Sequence, residues 1–183
     1  MVVIWNRVDL SGKEWCQLRH AKGYQILEGI VVLTHDRKPS RLEYHIECDL
    51  RWRTRRAQIK GQLGRKKVSI GLKTNSQGQW FMDGKQIASV EGCIDVDLGF
   101  SPSTNLLPIR RLRLGIGERA DVTAAWVEFP TLKLKPLEQS YFRSRKDIYH
   151  YESAGGKFRR DLNVNEEGFV TRYPGLWELE AVL

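Results

Sequence analysis

The stretch Glu43-Tyr-His-Ile-Glu-Cys-Asp-Leu-Arg-Trp-Arg53 is the strongest indication of the fold class in this chain. Apolar side chains occupy every second position, and charged or imidazole side chains occupy the positions between them. This period of two predicts a β-strand with one face in a core and the other in water. A helix would spread the same residues around its whole circumference. We therefore expect a half-buried strand over residues 43–53.

Similar patterns on both sides of this strand extend the prediction to the whole chain. Alternating apolar residues recur at Val68, Ile70 and Leu72, at Leu112, Leu114 and Ile116, and more weakly at 122–129, 132–134 and 149–151. Turn signals separate these runs at 22–23, 75–78, 83–84, 154–156 and 167–168. Many short strands with frequent turns form sandwiches, rolls or barrels. We expect an all-β, mainly antiparallel protein whose curled sheet forms a β-roll or half-barrel, with little helix.

Length and composition indicate one soluble globular domain over residues 1–183. The chain is 41% hydrophobic and 28% charged, which is typical of such domains. It has no run of about 20 apolar residues that could form a transmembrane segment, and its start does not have the pattern of a secretory signal. Cys16, Cys48 and Cys93 are odd in number and widely spaced, so we expect reduced thiols. A cytoplasmic location follows as an expectation.

The net charge of +8 raises the question of a polyanionic partner. The basic residues, however, are scattered in five short clusters, and lysine or arginine also protects exposed sheet edges. We therefore do not expect nucleic acid as the partner. Binding of nucleic acid through a basic sheet face is kept as the last alternative.

The segment from Cys93 to Arg111 is the most promising candidate site. Ile94, Val96 and Leu98 alternate with acidic residues, which predicts a strand with aliphatic groups on one face and carboxylates on the other. A loop between two prolines follows, and we expect the chain to enter another strand near residue 110. A dense group of polar side chains beside a rigid strand suits a site for a polar ligand. We expect this loop at the rim of an unfilled hollow in the curled sheet.

The predicted ligand-binding residues combine hydrogen-bonding groups with aromatic rings. They are Asp95, Asp97, Thr104, Asn105, Arg110, Arg111, Trp52 and Trp80. Carboxylates and amides suit sugar hydroxyls, whereas guanidiniums suit anionic groups. The alternative is an acidic strand face neutralised by its own arginines. A wider set of rings could line a cavity or belong to an ordinary core: Trp52, Trp80, Phe81, Trp126, Tyr149, Tyr151 and Trp177.

Motifs for metal or cofactor chemistry are weak in this sequence. The four histidines show no metal-ligand spacing. The glycines at 115 and 117 precede a strand-like run, whereas a dinucleotide fingerprint requires a helix there. We therefore predict no metal, no cofactor and no catalytic residue. An enzyme acting on a glycan or lipid, with Asp95 or Asp97 as acid or base, is the main alternative.

The chain resembles a bacterial family described as putative glycolipid-binding proteins. The most specific part of the resemblance is Gly-Cys-Ile-Asp-Val-Asp-Leu-Gly-Phe-Ser-Pro-Ser-Thr-Asn-Leu-Leu-Pro-Ile-Arg-Arg-Leu112. Supporting segments are Glu47–Trp52, Gly78–Gly84, Tyr149–Ser153 and Gly168–Pro174. The resemblance implies a rolled or half-barrel β fold, similar to carriers that hold lipid-modified proteins in a concave apolar sheet.

From the residues and the resemblance together, we expect a non-enzymatic binding protein. The apolar side of the curled sheet would take acyl or similar groups, and the residues between Asp95 and Arg111 would hydrogen-bond a sugar or phosphate head. The expected partner is a glycolipid or a similar amphiphile.

Overall fold

The computed structural model describes residues 1–21 and 23–183, which form one large, curled sheet. Its strands are β1 (Val2–Arg7), β2 (Gly12–Ala21), β3 (Tyr24–His35), β4 (Lys38–Asp49), β5 (Thr54–Leu63), β6 (Lys66–Thr74), β7 (Trp80–Met82), β8 (Lys85–Gln86), β9 (Val96–Leu98), β10 (Arg119–Glu128), β11 (Lys133–Arg145), β12 (Ile148–Ser153), β13 (Phe158–Val164), β14 (Val170–Tyr173) and β15 (Trp177–Val182). One short helix, α1, spans Leu106–Leu112. The predicted all-β class is confirmed.

The strand order is β8-β7-β6-β5-β4-β3-β2-β1-β15-β14-β13-β12-β11-β10-β9. Every pairing is antiparallel except that of β9 with β10. The chain thus forms an N-terminal half, β1–β8, and a C-terminal half, β9–β15, which join where β1 pairs with β15. The order ends at β8 and β9, so the sheet is open. The predicted curled roll is confirmed, and closure into a barrel, which the strand pattern also allowed, does not occur.

Strand β4 confirms the alternation that opened the sequence analysis, although it ends four residues earlier than predicted. Its buried and accessible residues alternate up to Asp49, where the strand ends. The Asp49 carboxylate accepts the backbone N–H groups of Arg51 (2.9 Å) and Arg53 (3.0 Å). An aspartate that bonds the backbone two residues on favours a turn over a strand. Leu50 is therefore 66% exposed, and the prediction of a strand as far as residue 53 is wrong in its last four residues.

The predicted turns at 75–78, 83–84, 154–156 and 167–168 are confirmed, each by a turn in the structure. Gly23 also lies in a turn, between β2 and β3, whereas Lys22 of the predicted 22–23 turn lies outside the described residues. The three thiols are free and buried. The short turns explain why neighbouring strands in the chain are also neighbours in the sheet.

The crossing segment, residues 87–118, carries the chain from β8 at one edge of the sheet to β9 and then β10 at the other. Its central part, residues 100–109, is buried. The backbone oxygen of Ile94 accepts the N–H of Thr54 at the start of β5 (3.1 Å), and Val96 donates its N–H to the Thr54 hydroxyl (3.0 Å). The crossing segment therefore packs against the start of β5, and its buried polar loop lies inside the roll instead of at the rim.

The prediction of a strand from Arg110 to Ile116 is wrong, because the chain forms α1 there. Leu106, Leu107 and Ile109 are buried on the helix, and Pro108 lies in its first turn, where a missing N–H costs no helical hydrogen bond. The helix ends at Arg113, which has a φ of 50°. Alternation over a short apolar run cannot distinguish a strand from the end of a helix followed by a loop.

Strand β9 has the two faces predicted from its alternation. Val96 and Leu98 are fully buried, and they pair with Ala125 and Val127 of β10. Asp97 points to the opposite face, where Gln139 of β11 donates to it. The aliphatic face packs into the core, and the acidic face belongs to the concave side of the C-terminal half. Ile94 precedes the strand and is 39% exposed, contrary to the predicted alternation.

The described residues, 1–21 and 23–183, include no helix long and apolar enough to cross a membrane.

Candidate functional site

The inner cavity is a hollow of about 200 Å³ on the concave side of the C-terminal half. It lies between β9, the polar loop of the crossing segment and strands β10–β15. Its lining residues are Asp97, Leu98, Gly99, Ser101, Asn105, Trp126, Leu137, Tyr151, Ser153, Phe158, Tyr173, Leu176 and Trp177. Rings and polar groups face the same small space, which is typical of a ligand site.

Aromatic rings form one wall of the inner cavity. The ring centroid of Tyr151 lies 6.1 Å from that of Phe158 and 6.2 Å from that of Tyr173, and the last two are 6.1 Å apart. These tilted arrangements are favourable for aromatic pairs, so the three rings support one another. Tyr151 and Tyr173 are nearly fully buried, whereas Phe158 is partly exposed. The wall is thus rigid at its base and accessible at one side.

Asp97 supplies a carboxylate to this cavity. Its Oδ2 accepts a hydrogen bond from the Gln139 amide at 2.5 Å, and the same amide donates to the Tyr151 hydroxyl at 3.0 Å. Burial raises the pKa of Asp97 to about 6, and the nearby Asp95 carboxylate adds to the shift. At neutral pH the group is therefore mostly ionised in surroundings that stabilise its charge poorly.

Ser101 connects the inner cavity to a buried carboxyl group on β2. Its hydroxyl donates to Oε1 of Glu14 at 2.6 Å, and the Tyr44 hydroxyl donates to the same oxygen at 2.6 Å. Burial raises the pKa of Glu14 to about 8, so this carboxyl is mostly protonated at pH 7. A side chain at Gly29 would collide with the Tyr44 hydroxyl, so this glycine makes room for the contact. The network ties the crossing segment to the N-terminal half.

Asn105 and Thr104 also hold the polar loop in place. The Asn105 amide accepts from the Tyr141 hydroxyl (3.0 Å) and donates to the Pro102 carbonyl (3.1 Å). The Thr104 hydroxyl accepts the backbone N–H of Leu98 at 3.1 Å. Asn105 reaches the inner cavity, whereas Thr104 fixes the turn after β9 and does not line the cavity.

Asp95 forms a buried ion pair with Arg111 beside the inner cavity. Three distances of 2.5–3.2 Å join the carboxylate to the guanidinium, and Asp95 is only 2% exposed. Burial raises the pKa of Asp95, although the guanidinium of Arg111 acts in the opposite direction. This pair matches the structural alternative that the sequence left open, an acid neutralised by the segment's own arginine.

Arg110 lies on the other side of α1, away from the inner cavity. Its guanidinium is 5.3 Å from the ring centroid of Trp52, a cation–π contact that connects the helix with the turn after β4. Arg110 also lines a second hollow of about 280 Å³, together with Arg113 and Arg143. Trp80 is fully buried and donates its indole N–H to the carbonyl of Cys93 at 2.9 Å, which positions the start of β9.

The structure therefore distributes the eight predicted ligand-binding residues over several places. Asp97 and Asn105 meet in the inner cavity. Asp95 and Arg111 form an ion pair that does not line the inner cavity, and Arg110 contacts the buried ring of Trp52 away from the cavity. Of the rings named in the sequence analysis, Trp126, Tyr151 and Trp177 line the inner cavity. As ligand contacts, all eight residues stay predictions.

Sequence reasoning missed several lining residues. Tyr173 and Phe158 contact Tyr151, but each belongs to a different strand, and no local pattern predicts their meeting. The sequence analysis did not single out Glu14. Glu14 occupies one of the alternate positions of β2 whose side chains are buried. A charged residue at such a position was the sequence feature that could have indicated a buried polar contact.

Larger depressions lie elsewhere on the protein. One of about 760 Å³ is lined by outward-facing residues of β4–β6, including His45, Glu47 and Arg56, and by Phe81. His45 and Arg56 both lie within ion-pair distance of Glu47. A ligand on a surface lined by exposed charge pairs would remain largely in contact with water and would gain little from those charges. We therefore place the candidate site in the inner cavity despite its smaller volume.

In residues 1–21 and 23–183, no group of three or more His, Cys, Asp or Glu side chains is arranged to hold a metal ion. The absence of a metal or cofactor in the working protein stays a prediction.

Comparison with known proteins gives one family and one solved structure. The family described as "Putative glycolipid-binding" matches residues 2–179. The crystal structure of a DUF1089 family protein from Pseudomonas aeruginosa is similar to this chain, with a TM-score of 0.79 and 32% sequence identity over 90% of this chain and 91% of that chain. Among curated proteins, none matches. Since the matched residues span almost the whole sequence, the chain belongs to the putative glycolipid-binding family.

Proposed function

We propose that this protein binds an amphiphile without chemical conversion and holds the polar head of that ligand in the inner cavity. The observation that carries the proposal is the pairing of an aromatic wall with a carboxylate, a hydroxyl and an amide around one hollow in the concave sheet. Rings stack on the apolar faces of a sugar, and polar groups bond its hydroxyls. The family's description agrees with a ligand of this class.

The size of the inner cavity limits what it holds. Its volume of about 200 Å³ is below the range of about 300–1,000 Å³ typical of pockets that enclose a whole drug-sized ligand. We therefore assign the cavity to the head alone. Leu137, Phe158 and Leu176 line the cavity and are each partly exposed, so an apolar tail can lie against them at the opening.

A binding role is favoured over the enzymatic alternative because only one of the carboxyl groups of Asp95 and Asp97 is available to a ligand. A glycosidase needs two carboxyl groups on opposite sides of the scissile bond. Asp97 has the raised pKa expected of a general acid, but Asp95 is held by Arg111. The inner cavity is therefore left with one available carboxylate. A binding role uses this arrangement without a second catalytic group.

The test is to measure which amphiphiles the purified protein carries and whether they occupy the inner cavity. Solvent extraction and mass spectrometry identify co-purified lipids, and titration with octyl glucoside measures binding through the fluorescence of Trp126 and Trp177, which line the cavity. We expect Leu137→Phe to obstruct the opening and weaken binding. Val32→Phe, which adds the same ring at a position that is 49% exposed on β3, is the matched control.

Absence of any extracted amphiphile, together with no fluorescence response to octyl glucoside or to its charged analogues, would overturn the proposal. Equal binding by Leu137→Phe and Val32→Phe would show that the ligand lies elsewhere on the protein.

A further inference from the structure

The inner cavity carries a negative charge that no lining residue in the described part of the chain balances. Asp97 is the single charged residue among the described residues that line it. The described lysines, arginines and histidines form no ion pair with Asp97, whose contact is the neutral amide of Gln139. Asp95, two residues earlier, has its charge balanced by Arg111. A carboxylate in a hollow of low polarity without a cation is costly, and a cationic ligand would remove that cost.

The hydrogen-bonding groups of the inner cavity also favour a ligand that donates hydrogen bonds. Ser101 directs its own hydrogen to Glu14, and its oxygen is already engaged by the backbone N–H of Ser103 (3.1 Å) and the Ser103 hydroxyl (2.7 Å). The Oδ1 atom of Asp97 is free to accept, because the bond from Gln139 goes to Oδ2. The hydroxyl of Tyr151 already accepts from Gln139. The Asp97 carboxylate can thus accept a hydrogen bond from a ligand, and an anionic head would meet repulsion from Asp97.

The aromatic wall offers ring surfaces of the kind that attract ammonium groups. Tyr151, Phe158 and Tyr173 have centroids 6.1–6.2 Å apart, so a small cation near them lies within reach of more than one ring. A cation within about 6 Å of a ring centroid is attracted by the ring face, and cages of rings bind quaternary ammonium groups in this way.

Two rings of the inner cavity already contact cations of the protein itself. The guanidinium of Arg160 lies 4.7 Å from the centroid of Phe158, and that of Arg7 lies 5.2 Å from Trp177. Arg7 is paired with Asp9, and neither arginine lines the inner cavity. Their charges are therefore not placed to neutralise Asp97.

We propose that the inner cavity selects an amphiphile with a positively charged nitrogen in its head, which Asp97 pairs with and the rings of Tyr151, Phe158 and Tyr173 surround. This inference rests on the proposed function and narrows its ligand class. The shared chemistry is an ammonium group, which either an amino sugar or a choline-type head supplies. Neutral hexose heads would bind more weakly, and phosphate or carboxylate heads more weakly still.

The test compares amphiphiles that share an octyl chain and differ only in the head. The probes are octyl glucoside, octyl glucosaminide, octyltrimethylammonium and octyl phosphate, each titrated below its micelle concentration and followed by calorimetry. We expect at least one of the two cationic probes to bind roughly tenfold or more tightly than octyl glucoside, as expected for a desolvated cation–π site with a counter-charge. The stronger of the two cationic probes identifies the source, amino sugar or quaternary ammonium.

Asp97→Asn supplies the critical variant, because it removes the charge and keeps an oxygen for the bond from Gln139. We expect this variant to lose the preference for cations, so that the cationic probes bind it no more tightly than octyl glucoside does. Asp36→Asn, at a carboxylate whose side chain is 81% exposed, is the control and should keep the preference. Circular dichroism and thermal unfolding verify that both variants are folded.

Three outcomes would overturn the inference. The first is octyl glucoside binding at least as tightly as both cationic probes, which leaves the proposed function intact. The second is octyl phosphate binding most tightly, which would point to the hollow lined by Arg110, Arg113 and Arg143. The third is a cation preference that survives in Asp97→Asn. Failure of all four probes to bind would instead reject the proposed function itself.

Discussion

The two halves of this sheet bury their concave faces in different ways. In the N-terminal half the inward residues are mainly aliphatic, such as Leu42, Ile46 and Ile59, and they are almost completely inaccessible. In the C-terminal half the corresponding surface carries tyrosines and polar groups, such as Gln139, Tyr151 and Tyr173, and it contains the inner cavity. Both halves are curled antiparallel sheet, so strand geometry alone does not create the hollow.

The difference follows from the shapes and bonding needs of the side chains. Branched aliphatic groups interdigitate to a density close to that of a crystal. Large rings in tilted arrangements leave gaps, and their hydroxyl groups require partners at fixed positions. Side chains that are hydrogen-bonded to each other, such as Gln139 and Tyr151, are held in place and cannot move to fill the gap. A binding hollow thus arises where rigid rings and polar groups replace aliphatic packing.

The largest expected effect concerns Glu14, whose hydrogen bond from Ser101 joins the N-terminal half to the crossing segment. The pKa of Glu14 is about 8 in the folded protein against 4.5 for a glutamate in water, so the folded state keeps a proton that the unfolded chain releases. Stability is therefore full below about pH 4.5 and falls as the pH rises toward 8, by up to about 5 kcal/mol. Glu14→Gln should flatten this decline in urea unfolding at pH 5, 7 and 9. An unchanged decline in the variant would contradict the buried, protonated state.

The second prediction tests the packed half. Ile59→Ala removes a fully buried side chain from β5 and should lower the free energy of unfolding by about 2–5 kcal/mol, because the core cannot close around the vacancy. Binding of amphiphiles to the molecules that remain folded should not change. Chemical denaturation and the octyl glucoside titration measure the two effects. A loss of affinity would show that the halves are not independent.

The third prediction tests the cost of leaving Asp97 unpaired. Burial raises its pKa from 3.8 to about 6, so stability decreases as the pH rises through that interval. Asp97→Asn lacks this decrease and should be more stable than the original protein at pH 8, by about 3 kcal/mol. At pH 3.5 the two proteins should differ much less. Thermal unfolding in the absence of ligand, at both pH values, measures the difference, and lower stability of the variant at pH 8 would refute the prediction.

The smallest expected effect concerns the ring wall of the inner cavity. Tyr173→Phe keeps the ring and removes one hydroxyl, so we expect a change in stability of about 1 kcal/mol or less. Tyr173→Leu removes the ring and should weaken amphiphile binding more than Tyr173→Phe does. Comparing affinities of the two variants separates ring contact from hydrogen bonding. Equal affinities would indicate that the ring face does not contact the ligand.

Much of the local structure could be predicted from sequence, and some of the site as well. The alternation in β4 and around β9 predicted which side chains share a face, and the Asp-Gly and Gly-Gly pairs predicted turns. The segment around Asp97 and Asn105 was singled out by its density of polar groups. The helix α1 was missed, because its apolar residues also fit a short alternating run. The family resemblance was confirmed by the match over residues 2–179.

The sequence by itself determined the strands, their turns and the faces on which their side chains lie, because a period of two is a property of a single extended segment. Only the tertiary structure decided that residues 87–118 enter the roll, that Glu14 meets Ser101, and that Tyr151, Phe158 and Tyr173 share one wall. These contacts join strands that are distant in the chain or separated by turns. Their existence depends on how far the sheet curls and on what fills it, and no short stretch of sequence encodes that curvature.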